Sequence, residues 1–104
     1  SFRHMTKPIR MRLNNRAAAI DLIECDAGDL EPIDKALLGL GAERISSVGN
    51  PVEETRCYSL GSSEVILDWD GYTSALRTAD PTHLAAIFNA LSRSPLFEDV
   101  GKDD

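Results

Sequence analysis

The sequence predicts an α+β fold, a two-layer sandwich in which two helices pack on one face of a mainly antiparallel sheet. Three observations carry that prediction. Two segments repeat apolar residues at helical spacing, short β-prone runs separated by turn residues lie between them, and strand and helix nowhere alternate as in a doubly wound sheet. The element order is ββα, then a meander of three or four strands, then a final helix. At 104 residues and 42% hydrophobic composition, the chain is one domain with enough apolar sequence for a core without disulfides or metal.

Ile9, Met11 and Leu13 alternate with Arg10, Arg12 and Asn14, the period of a half-buried strand. Asn14-Asn15 tolerates a left-handed turn into a second strand with Ala18, Ile20 and Leu22 facing one way. Asp29 is placed to cap a helix with Leu30, Ile33, Leu37 and Leu40 along one stripe, Pro32 in its first turn and Gly41 at its end. The β-prone runs 45–49, 55–60, 65–69 and 72–78 are separated by Asn50-Pro51, Gly61-Ser62-Ser63 and Asp70-Gly71. Asp70-Gly71 is the strongest turn signal and predicts a two-residue type I′ turn flanked by Trp69 and Tyr72. Asp80 and Pro81 suit the N-cap and first position of the last helix, whose Leu84, Ile87, Phe88 and Leu91 form a core face. Residues 1–5 read as a tag remnant ending in an initiator methionine, 6–97 as a single globular domain, and 98–104 as a flexible acidic tail.

Charge is divided along the chain. Residues 1–16 carry five Lys/Arg and no acid, whereas 17–104 carry six Lys/Arg against all seventeen Asp/Glu, leaving the body at about −11. Such a body repels nucleic acid and anionic lipid and attracts basic surfaces. Asp21 and Glu24 interrupt the basic-then-apolar start too early for a signal peptide or membrane span. Cys25 and Cys57, far apart and flanked by strand-like sequence, are poor material for a disulfide framework, so a reducing, cytoplasmic setting is expected.

No motif for catalysis, metal or cofactor stands out, and the expectation is a non-enzymatic protein with none of these. His83, in the first turn of the last helix, reads as an exposed surface residue. The two cysteines read as small buried hydrophobes. Asp68 and Asp70, with Glu24 and Asp26, are the acids a metal ion would use, but an isolated D-x-D is weak and each residue has a structural role available. Gly39, Gly41 and Gly49 match neither a dinucleotide fingerprint nor a P-loop.

With helix starts and the tail set aside, ten acids remain in strands, loops and one helix, Asp34 among them. Glu53, Glu54, Asp68 and Asp70 lie near Trp69 and Tyr72 in the expected meander, the mix of steering charge and aromatic anchor that binds a protein partner. The first expectation is therefore a small acidic inhibitor, of the kind an immunity protein or antitoxin represents, capping a basic site on a partner enzyme. Nucleic acid and membrane are not expected partners, and a homodimer is left open. A second expectation, from another class, is a small-molecule-sensing regulatory domain acting as a dimer, marked by a concave pocket between helix and sheet with converging polar groups. A third is an enzyme using Cys25 or Cys57 with His83. Pairing of Arg10 and Arg12 with the protein's own carboxylates would make the basic arm structural.

Overall fold

In the computed structural model, which describes residues 7–50, 52–71 and 73–103, seven strands form one sheet covered on one face by two helices. Chain order is β1 (Ile9–Asn14), β2 (Ala19–Ile23), a single 3-10 turn (Ala27–Asp29), α1 (Leu30–Gly39), β3 (Glu43–Asn50), β4 (Glu53–Leu60), β5 (Ser63–Trp69), β6 (Ser74–Thr78), α2 (Pro81–Ser92) and β7 (Phe97–Asp103). The sheet order is β3-β4-β5-β6-β2-β1-β7, antiparallel except for the last pair. The two-layer α+β arrangement and the meander are as the sequence predicts. Among the described residues, no helix is long and apolar enough to cross a membrane.

Period-two alternation decides which face is core. Ile9, Met11 and Leu13 of β1 are buried, and their rows continue through Ile20 and Leu22 to Leu76, Val65, Leu67 and Tyr58. The helices place Leu30, Ile33 and Leu37, then Leu84, Ile87, Phe88 and Leu91, into that same cluster. The opposite face holds Arg12, Asp21, Ala75, Asp68, Thr55 and Val48 in one continuous cross-strand row, with Ala75 buried among its neighbours and Thr55 and Val48 exposed.

The helix ends follow capping chemistry. Asp80 is extended, its carboxylate accepts the Thr82 N–H at 3.0 Å, and Pro81 occupies the first position, where no N–H is needed. At the end of α1, Ala42 N–H donates to the Leu37 carbonyl and Gly41 N–H to that of Leu38, with Gly41 at φ +102°, the left-handed stop that glycine permits. The start of α1 differs from expectation. Asp29 is already helical, and its carboxylate turns back to accept the Asp26 N–H at 2.9 Å, closing the 3-10 turn that carries the chain into α1.

Three further differences bear on the site. The β1–β2 turn takes its left-handed residue at Ala18, φ +51°, while Asn14 uses its side chain to accept the Ala17 N–H; β2 therefore starts at Ala19. The connection after β5 is shifted by one residue from the expected Asp70-Gly71 turn. Trp69 pairs with Ser74, and Asp70 bonds Thr73 backbone to backbone while its carboxylate caps the Thr73 N–H at 2.7 Å. Tyr72 lies outside the described residues. Finally, the segment expected as an acidic tail is strand β7, parallel to β1, with Phe97 buried and the register offset absorbed near Gly101 at φ +117°.

Candidate functional site

Strands β3 to β6 bring four of the expected partner-binding acids to one place. Glu53 and Glu54 begin β4, and antiparallel pairing sets Glu54 against Trp69 and Thr55 against Asp68 of β5. Asp70 follows at the end of β5. These residues, with Asn50, Ser74 and Arg77, line an open groove of about 570 Å³. Among its described lining residues Arg77 is the one cation, set against the acids Glu53, Asp68 and Asp70 and the start of β4 at Glu54.

The acids are not equivalent. Asp68 accepts from Thr55 Oγ1 at 3.0 Å and pairs with Arg77 at 3.3 Å, an exposed pair that water screens. Glu54 points to the helix side, where it accepts from Arg56 Nε and, at 2.8 Å, from Ser47 Oγ; the Arg56 hydrogen bond holds its carboxyl below the ordinary value of 4.5. Asp70 serves its turn. Glu53 is exposed and makes no ion pair among the described residues, so it is the charge most available to a partner.

Trp69 corrects the sequence expectation. Its register puts the ring on the helix side, where it is 8% exposed and donates its indole N–H to the Cys25 carbonyl at 2.8 Å. A sealed, hydrogen-bonded indole is a core residue backing the groove wall, not an anchor for a partner.

The surface inventory also loses Asp34, which is 4% exposed on the inner face of α1. It accepts from Tyr58 Oη at 2.6 Å and Arg44 Nη1 at 3.2 Å, and faces Arg56 Nη1 at 3.5 Å. Burial, then this hydrogen bond, pushes the Tyr58 hydroxyl well above its usual pKa. Together with Glu54 and Ser47, the cluster ties α1 to the β3–β4 hairpin and holds one wall of the groove in place. A sequence signal is present: Asp34 lies four residues after Leu30 and three before Leu37, on the apolar stripe itself, so its spacing marks it as an inward-facing acid, while its partners Arg44, Arg56 and Tyr58 are distant in sequence.

Within the described part of the basic arm, Arg10 pairs with Glu24 at 3.5 Å and Arg12 with Asp21 at 3.4 Å, Asp21 also accepting from Asn14, so these two cations are engaged by the protein's own carboxylates. His83, expected on the surface, is half-buried, its Nδ1 hydrogen-bonded to Ser63 Oγ. Cys57 lies in the cross-strand row with Ile66 and Arg77 on the open face, across the sheet from α2 and His83. Cys25 is buried, and burial first, then Asp29, pushes its thiol up to about 11. Alkylation of the folded protein at about pH 8 is therefore expected to spare Cys25, read by peptide mass analysis, and to modify it only after unfolding. No group of three or more His, Cys, Asp or Glu side chains suited to a metal ion occurs among the described residues.

No family model, curated protein or solved structure matches this chain. The functional reading therefore rests on the groove and the charge around it.

Proposed function

We propose that this chain is a small acidic protein-binding domain, an inhibitor of the immunity or antitoxin type that covers a basic site on a partner enzyme. The observation that supports the reading is the groove itself, with Glu53, Asp68 and Asp70 around one opening against Arg77, the one cation among its described lining residues, on a body of about −11. Charge of one sign focused in a concavity speeds association with a cationic surface. The partner's basic side chains meet Glu53 first and then compete with Arg77 for Asp68. Two free cysteines suit a cytoplasmic location. The space between helices and sheet is occupied by Ile33, Leu37, Leu84, Ile87, Phe88 and Leu91, which supports the inhibitor over a sensor with its ligand between those layers.

The test uses the tagged chain as bait in native lysate. Capture of a basic protein is expected at low salt and is expected to fall steeply at about 0.5 M, where screening reaches a few ångströms. Glu53→Lys with Asp68→Lys is expected to abolish capture while leaving the far-UV circular dichroism unchanged. Glu54 and Asp70 are left intact, since they hold Arg56 and the Thr73 turn. Capture indifferent to both salt and charge reversal would remove the proposal.

A further inference from the structure

The two edges of the sheet are built differently. The β7 edge, Phe97–Asp103, carries Glu98 and Asp99, charges of the kind that discourage edge-to-edge pairing. The β3 edge has every residue from Glu43 to Asn50 exposed, and from Ile45 through Val52 the sequence holds no charge at all. Three of the protein's exposed large hydrophobics lie there: Ile45 at 64%, Val48 at 70% and Val52 at 68%. In an acidic body, this uncharged rim is where an identical copy approaches without placing carboxylate against carboxylate.

We propose that β3 is a homotypic interface, pairing antiparallel with β3 of a second copy so that two seven-stranded sheets become one. A two-fold axis perpendicular to the sheet generates this arrangement and makes the interface self-complementary. The register follows from β3's own regularity. Its pairing with β4 is irregular between Arg44 and Ser46 and regular from Ser46 to Asn50, so the segment free of the bulge is centred on Val48. A dyad there sets Val48 against Val48 of the partner subunit on the open face, with Ser46 opposite the partner's Asn50. Cross-strand apolar neighbours on such a pair lie roughly 5 Å apart. The backbone groups of the edge then gain partners in place of water.

Val48 and Asn50 also line the acidic groove, so the interface borders it, but the inference does not rest on the inhibitor reading and its test needs no partner enzyme. Sedimentation equilibrium at about 0.1 mM, where a dimer of tens of micromolar affinity is well populated, is expected to give twice the 11.4 kDa chain mass. Val48→Lys places like charges directly across the dyad, and Ser46→Lys separately sets a charged side chain on the edge against the partner's Asn50; each is expected to return the mass to that of the monomer. Leu96→Lys, at an exposed apolar position outside β3, is expected to leave the dimer intact. Circular dichroism checks that each variant is folded, and both β3 positions are exposed. A monomeric parent protein, or a dimer surviving both β3 substitutions, overturns the proposal.

Discussion

Asp34→Ala is expected to destabilise the protein by about 3–5 kcal/mol, the usual cost of removing one partner from a buried charged pair. The loss is large because of what remains. Tyr58 is fully buried and would keep a hydroxyl whose 2.6 Å acceptor is gone, while Arg56 would stay at the α1–β4 interface with only Glu54 to balance it. Tyr58→Phe removes the donor and leaves the carboxylate with Arg44 and Arg56, so its cost is expected to be smaller, about 1–3 kcal/mol. Because Asp34 and Tyr58 touch, the double variant should fall short of the summed losses by roughly 0.5–3 kcal/mol. Urea unfolding of the four proteins measures the cycle. A cost below about 1 kcal/mol for Asp34→Ala, well under the range for a buried pair, would show that the cluster does not secure the hairpin. The neighbouring Glu54 adds a pH signature. Its folded pKa is depressed, chiefly by the Arg56 hydrogen bond, so its contribution is present above 4.5 and lost as pH falls through the lower folded value. The parent should therefore lose stability on acidification below that point, and Glu54→Gln should flatten this part of the profile.

The same cluster shows where sequence reading stops. Elements specified by local rules were legible: alternation along Ile9–Leu13, the Asp80-Pro81 start of α2, and the Leu84, Ile87, Phe88, Leu91 stripe each depend on residues a few positions apart. What depended on partners distant in sequence was not. Asp34 is separated from Tyr58 by 24 positions, and Trp69 from the Cys25 carbonyl it bonds by 44. The meander turns sequence order into spatial order, which is why the start of β4 and the end of β5 lie side by side, with Glu54 opposite Trp69 and Thr55 opposite Asp68. Which of the groove's acids were already committed was invisible. Period-two alternation could have assigned Trp69 to the buried face, since Val65 and Leu67 precede it at even spacing and Asp68 takes the open side. The one-residue shift of the Asp70 turn was hidden for another reason: an aspartate can open a turn through its side chain as readily as sit inside one, and here it caps Thr73.

Deletion of residues 97–104 is expected to be among the most damaging changes available, although by composition the segment is an acidic tail. In the fold it is β7, paired in parallel with β1 from Ile9 to Asn14 and held at its start by Ile9 N–H donating to the Leu96 carbonyl at 2.8 Å. A parallel edge partner 80-odd residues away leaves no local trace, and 98–103 have only Val100 as an apolar residue, so periodicity cannot reveal the strand. Its packing is concentrated in Phe97, 6% exposed against the core that α2 also covers. Phe97→Ala alone is expected to cost about 3–5 kcal/mol by combining lost burial with an unfilled cavity. Deletion should cost at least as much, because β1 would become an unpaired edge with Ile9 and Met11 uncovered beside it. Thermal and urea unfolding of the two variants should thus show similar large losses. Glu98→Gln with Asp99→Asn, which keeps backbone and Phe97 but removes two charges, should stay within about 0.5 kcal/mol of the parent, as substitutions away from packing normally do. A mobile appendage would give the reverse pattern, with deletion leaving the transition unmoved.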